Sequence, residues 1–223
     1  MPRTDTGRLC RRGAHRWRLA GAGRAATGRL HRHQKLGQPA IIGHSLGGFL
    51  ALKMAIDHPA QTGKLVIVDS LPALGATQLP SITPPQLQAM STQMQTAMRA
   101  QDDVTYAASQ RRAVSGMASA PADVERIIGW GQRSNRETVI KAMGTLIASD
   151  LRQDVAKVQS PTLVLGTWIA YKDYAPRTAI EATFQQQYAQ LPGVKVALAD
   201  TARHFIMYDQ PDWMYARIEQ FLD

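Results

Sequence analysis

Five residues constrain this chain more than any other feature: Gly43-His44-Ser45-Leu46-Gly47. As a bare G-x-S-x-G string the pattern is weak, arising by chance in roughly one chain in ten of this length at ordinary Gly and Ser frequencies. Its setting makes it specific. Pro39-Ala40-Ile41-Ile42 before it is a short apolar run of the kind buried in parallel sheets, and Leu46 to His58 after it reads as an apolar helix stopped by Pro59. A serine caught in so sharp a strand-to-helix turn is held in strained backbone. Glycines at 43 and 47 are expected because a Cβ there would strike the neighbouring chain. The hydroxyl then projects at a helix N-terminus, where the Leu46 N–H and the helix dipole face any developing negative charge. The competing interpretation is a glycine-rich turn that merely joins a strand to a helix or binds a phosphate.

The rest of the chain supplies a frame for such a turn. Lys64-Leu65-Val66-Ile67-Val68, Pro161-Thr162-Leu163-Val164-Leu165 and Val194-Lys195-Val196-Ala197-Leu198 are further buried-strand patterns. A helix with Ile180, Phe184, Tyr188 and Leu191 on one face lies between the last two. A final helix opens at Pro211, with Trp213, Arg217 and Phe221 at i, i+4 spacing. Strands alternating with helices predict an α/β fold with a parallel sheet. Residues at about 75–155 break the alternation with helices alone. Leu87, Met90, Met94 and Met98 trace one face; Ser134 and Glu137 fit a capping box ahead of Val139, Ile140, Met143 and Ile147. An insert at that point should emerge at the C-terminal edge of the sheet, where open α/β sheets bind ligands. Its methionines could line an apolar acyl pocket or form ordinary bundle core.

The net charge of +9 suggests a nucleic-acid partner until its distribution is read. Residues 1–35 hold 10 Lys/Arg and one acid, while the remainder holds 16 of each. The basic character belongs to a leader without apolar periodicity. Three interpretations stand for it: a disordered tail, a start that is not evolved coding sequence, or an Arg-rich transit or nucleic-acid arm, the last resting on charge alone. Residues 36–223 form the expected folded domain. The single cysteine, Cys10, excludes an internal disulfide and permits a reducing compartment. No apolar run approaches the ~20 residues of a membrane span, and no secretory signal is legible. The expectation is a cytoplasmic protein without a membrane partner. With no phosphate loop, zinc-ligand set or dinucleotide fingerprint, no cofactor or metal is expected.

Gly43-His44-Ser45-Leu46-Gly47-Gly48, Val68-Asp69-Ser70, the strand at 161–166 and a late histidine, His204, together resemble the α/β-hydrolase superfamily over about residues 36–223. The resemblance implies a helical cap at the insert and the chain order serine, acid, histidine. It makes Ser45 the nucleophile, the Leu46 N–H an oxyanion donor and His204 the base, since His204 follows the fourth strand pattern and precedes the last helix. His44 stands beside the serine, but successive residues point apart. The acid is open. Asp69 ends the second strand pattern and is preferred; Asp173 is the alternative, late in Gly166-Thr167-Trp168-Ile169-Ala170-Tyr171-Lys172-Asp173; Asp150, Asp154 and Asp200 trail behind.

The resemblance also implies four strands ahead of the elbow and a second oxyanion donor in a loop among them. Residues 1–35 offer neither, so an N-terminally truncated sheet is expected, with an apolar edge near Pro39 prone to self-association. The function expected is a serine hydrolase of the carboxylesterase type, acting on a small-molecule ester or similar acyl bond. The alternatives are an inactive truncated remnant or, resting only on charge, a nucleic-acid-binding protein.

Overall fold

The computed structural model describes residues 37–223 apart from Gln78. The leader at 1–35, with each interpretation of it, lies outside the described residues. Among the described residues four strands form one sheet: β1 (Ile41–His44), β2 (Leu65–Val68), β3 (Thr162–Thr167) and β4 (Lys195–Ala199). They run parallel in the order β1-β2-β3-β4. Each lies within a few residues of its sequence pattern, and β1 begins two residues later than Pro39, whose missing N–H suits it to the position before a strand.

Burial on both faces explains why the central strands β2 and β3 read as unbroken apolar runs, while β1 and β4, at the sheet's flanks, are partly exposed. In β2, Leu65 and Ile67 join a cluster with Phe49, Leu52, Ile56, Phe184 and Tyr188. Val66 and Val68 point the other way, into a cluster with Leu163, Leu165, Ile206, Met214 and Ile218. The first face is covered by α1 (Leu46–Asp57) and α6 (Arg177–Gln187), which follow β1 and β3. The second is covered by the C-terminal pair α7 (Ile206–Asp209) and α8 (Pro211–Leu222). In α8 the deepest positions are Met214 and Ile218; of the expected stripe, Trp213 and Phe221 pack at the margin and Arg217 is exposed.

Between β2 and β3 the described residues make four α-helices and no strand: α2 (Pro84–Ala100), α3 (Asp103–Val114), α4 (Pro121–Arg133) and α5 (Arg136–Ala148). Helices α2 and α5 pack closely; Ser91, buried between them, donates to the Gly144 carbonyl at 2.8 Å. The capping residue of α5 is Asn135, whose Oδ1 accepts from the Thr138 N–H at 2.9 Å. The expected Ser134 cap does not form; the Ser134 hydroxyl instead donates back to the Trp130 carbonyl. The buried positions of the helix are Ile140, Gly144 and Leu146, while Met143 is exposed. Met90 packs at the base of this insert, where a Cβ added to Gly75 would lie 3.0 Å from its Cε.

The insert has a narrow neck. The Leu151 N–H, on the returning chain, donates to the Pro72 carbonyl on the departing chain at 3.0 Å. Next to it, buried Gln187 of α6 bonds both the N–H and the carbonyl of Ala73, each at 3.1 Å. Among the described residues no helix is long and apolar enough to cross a membrane.

Candidate active site

Ser45 follows β1 and opens α1 with φ of 52° and ψ of −122°. Positive φ costs a side-chain-bearing residue of order 1–3 kcal/mol, and the surrounding structure must hold it there. Backbone bonds do so: the Ser45 N–H donates to Val68 of β2 at 2.9 Å, and its carbonyl accepts the first α1 bond from Phe49. The Ser45 hydroxyl makes no helix-capping bond, so it is not consumed by the helix it opens. Leu46 is the first residue of α1, where backbone N–H groups have no partner within the helix.

The glycines around it divide differently from the sequence expectation. A Cβ at Gly43 would lie 2.3 Å from the Gly47 carbonyl oxygen, so Gly43 is obligatory. A Cβ at Gly47 would meet nothing within 4 Å. The second tight position is Gly48, where a Cβ would come 2.7 Å from Cβ of Ser70 on the neighbouring strand end. The G-x-S-x-G string alone assigns this constraint to the wrong glycine, because α1 turns Gly47 outward and Gly48 onto the sheet.

Asp69 mirrors Ser45 on the adjacent strand. His44 pairs in register with Val68, so the residues that follow them leave the sheet side by side, and Asp69 also has positive φ, 42°. Its N–H donates to Leu165 of β3 at 2.7 Å. Its Oδ1 accepts from both the N–H of Thr167 at 3.0 Å and the Thr167 hydroxyl at 3.2 Å. The carboxylate is thus clamped from β3, and its other oxygen, Oδ2, lies 2.7 Å from Nδ1 of His204. A carboxylate on Nδ1 fixes the tautomer with the proton there and leaves Nε2 free as a base. Asp173 lies on the exposed turn after β3 and has no contact with His204. Tyr171, on the same turn, has its hydroxyl pKa raised by burial and by the nearby Asp69 charge.

His204 sits in the loop between β4 and α7. Among the described residues Ser45 Oγ and His204 make no direct hydrogen bond; the bonds of His204 run to Asp69 and His44. What joins the elbow to the loop is the residue the sequence reading set aside. Nε2 of His44 lies 2.9 Å from the carbonyl oxygen of His204, and the two rings are 4.6 Å apart. Since a carbonyl can only accept, His44 carries its proton on Nε2. Burial, then the neighbouring His204, lower the His44 pKa from 6.5 to about 4. Alternation had pointed His44 away from Ser45, as it does; it could not show that the histidine loop lies on that side.

The insert reaches the same loop. Asp209 accepts from the Ser119 N–H at 2.8 Å, the Ser119 hydroxyl at 2.9 Å and the Arg203 N–H at 2.7 Å. The Phe205 N–H donates to the Met117 carbonyl at 3.0 Å. Trp130 of α4 stands over Phe205 and Tyr208, with ring centroids 6.3 and 6.2 Å apart. A separate polar cavity of about 240 Å³ is lined by Thr77, Pro80, Arg152, Gln186 and their neighbours and includes none of these residues. Its one cation, Arg152, is spent on Asp150 and the Pro80 carbonyl.

Comparison with known proteins gives a consistent result. The alpha/beta hydrolase family matches residues 8–217. A relative from Serratia proteamaculans, RutD, whose name assigns it carbamate hydrolysis, is 27% identical over 125 residues, 56% of this chain and 45% of that protein. The match thus spans less than half the length of that curated relative. Among solved structures, a hydrolase from Pseudomonas aeruginosa superposes with a TM-score of 0.70 at 16% identity, covering 89% of this chain and 70% of the other. The enol-lactonase from Burkholderia xenovorans gives 0.68 at 16% identity, covering 91% and 72%. At such identities the likeness is one of fold.

Proposed function

Because the chain belongs to the alpha/beta hydrolase family, we propose that it is a serine hydrolase that cleaves a carboxylic ester or similar acyl bond through an acyl-enzyme at Ser45. The observation that carries this reading is the pair Asp69 Oδ2 and His204 Nδ1 at 2.7 Å, set beside a serine in strained, uncapped geometry.

The steps follow from the groups present. Nε2 of His204 takes the Ser45 hydroxyl proton as Oγ attacks the acyl carbon. Asp69 keeps the imidazole in the required tautomer and stabilises the imidazolium that forms. The tetrahedral oxyanion lies over the N-terminus of α1, where the Leu46 N–H and the helix dipole oppose its charge. Collapse expels the leaving group, which receives its proton from His204, and leaves the acyl group on Ser45. Water, activated by the same imidazole, then releases the acid and restores the serine. No step calls for a cofactor. The names of the relatives are compatible with this chemistry, since carbamates and enol-lactones both carry an acyl carbon bonded to a heteroatom.

Fluorophosphonate labelling tests the reading. The purified full chain should be modified at Ser45, and Ser45→Ala should abolish both labelling and turnover of a short-chain p-nitrophenyl ester. Labelling that survives in the alanine variant would remove Ser45 from the mechanism. An unlabelled but folded wild-type protein would make the chain a non-catalytic member of the family.

A further inference from the structure

The peptide unit between His204 and Phe205 is held at both ends by other parts of the molecule. Its carbonyl oxygen accepts from Nε2 of His44, on the residue before the nucleophile, at 2.9 Å. Its N–H donates to the Met117 carbonyl of the helical insert at 3.0 Å. Two peptide units earlier the loop is held as well, by the Arg203 N–H on Asp209 at 2.7 Å. Loops carry backbone polar groups that usually turn to water. Here the Arg203 N–H, the His204 carbonyl and the Phe205 N–H, which flank one imidazole, are taken up by protein instead.

From this arrangement we propose that His44 is a positioning residue: as a neutral Nε2–H donor it ties the His204 peptide to the nucleophile elbow and so fixes the angle at which the His204 ring meets Ser45. The proposal rests on the hydrolase reading of Ser45 and His204. Two further observations support it. The His44 ring packs against both the His204 ring, at 4.6 Å, and the Phe205 ring, at 4.8 Å, so it fills the wedge between elbow and loop rather than hanging in solvent. Its pKa of about 4 keeps it uncharged at neutral pH, when His204 becomes an imidazolium beside it. A permanent cation in that place would oppose proton uptake by the base.

The geometry also makes His44 one end of a bridge. Elbow, His204 peptide and insert lie in a line, His44 to the 204 carbonyl and the 205 N–H to Met117. Movement of the 115–119 segment would pull on the same peptide plane that His44 grips. Asp69 fixes only the Nδ1 end of the ring. Backbone displacement at 204 would swing Nε2 even with that bond intact, and misplacement of about 1 Å can cost ~10²-fold in rate.

Two variants in the full chain separate the donor from the ring. His44→Phe keeps a planar ring but cannot donate; His44→Gln restores an amide N–H near the same point. Each is measured for kcat and KM on a p-nitrophenyl ester, for thermal stability, and by proton NMR of the low-field Nδ1–H resonance of His204. His44→Phe should lower kcat by about 10- to 100-fold with KM little changed, and should broaden or shift the resonance. His44→Gln should recover most of kcat and the wild-type resonance. A folded His44→Phe protein with wild-type kcat and resonance would overturn the proposal. So would a His44→Gln protein no better than His44→Phe, which settles the matter even if His44→Phe does not fold. The resonance is read without turnover. An inactive, unlabelled wild type would defeat the hydrolase reading while the NMR arm still decides whether His44 positions His204.

Discussion

Ser45 and Asp69 leave two paired strands at the same level and both adopt positive φ, 52° and 42°. The two strained residues are thereby aimed off the same edge of the sheet, toward the loop that carries His204. Strain at one such residue is a local oddity; at two adjacent strand ends it concentrates where acid and nucleophile are required. Asp69→Asn should therefore lower kcat by the ~10⁴ typical of a lost orienting carboxylate, because an amide can present its N–H to Nδ1 and favour the wrong tautomer. Asp173→Asn, on an exposed turn, should leave kcat unchanged. The reverse result in steady-state kinetics would transfer the role to Asp173.

The elbow glycines give a test of opposite signs. Gly43→Ala places a Cβ 2.3 Å from a backbone oxygen that cannot move without breaking α1. It should destabilise by about 3 kcal/mol or more. Gly47→Ala meets open space on a helix, where alanine is favoured over glycine by up to about 1 kcal/mol. Thermal melting should show the first far below wild type and the second at or slightly above it. A damaging Gly47→Ala would mean that the helix start is tighter than its geometry indicates.

Acid should weaken the fold through His44. The group takes a proton near pH 6.5 in the unfolded chain but only near pH 4 in the folded one. The unfolded state thus binds more protons across this window. Stability should fall as pH drops from about 6.5 toward about 4, by up to ~3 kcal/mol for this residue. Denaturant unfolding at pH 7 and pH 4 measures the slope. His44→Gln, which cannot titrate, should flatten it; an unchanged slope would assign the acid sensitivity elsewhere.

Asp209 fastens the insert to the histidine loop with three accepted hydrogen bonds. Asp209→Ala should raise KM and lower kcat together, since it frees both the 119 segment and the Arg203 N–H, at a stability cost of about 1–3 kcal/mol. Limited proteolysis should cut the α3–α4 connection faster in the variant. Equal cleavage rates would show that the aromatic contacts of Trp130 suffice to seat the insert.

The sequence made the elements with regular periods legible, and strand ends and chain order singled out Ser45, His204 and Asp69, of which the structure brings Asp69 and His204 to 2.7 Å. All four strands and the helical insert lie where alternation and apolar runs put them. What it missed depends on which side a residue faces after a turn. Gly47 and Gly48 are indistinguishable as letters, yet α1 exposes one and presses the other on Ser70. Ser134 and Asn135 are both good caps as letters, and only Asn135 accepts the helix's first-turn N–H. His44 was dismissed by local geometry that was correct, because its partner, the 204 carbonyl, is 160 residues away. Asp209, three bonds deep in the site's support, has no sequence signature: a carboxylate gathering backbone donors looks like any surface acid.

The neck of the insert, where Leu151 bonds Pro72, bears on how such a protein could diversify. An excursion that returns to its own starting point can lengthen, shorten or be exchanged without altering strand register or the Ser45–Asp69 spacing. Residues 73–150 are in that sense a replaceable module carried by the sheet. Under the proposed function, substrate preference would then be set in the module while Ser45, Asp69 and His204 keep their places. The limit on such exchange is the docking to the histidine loop at Met117 and Ser119, the features a graft from another hydrolase would have to reproduce.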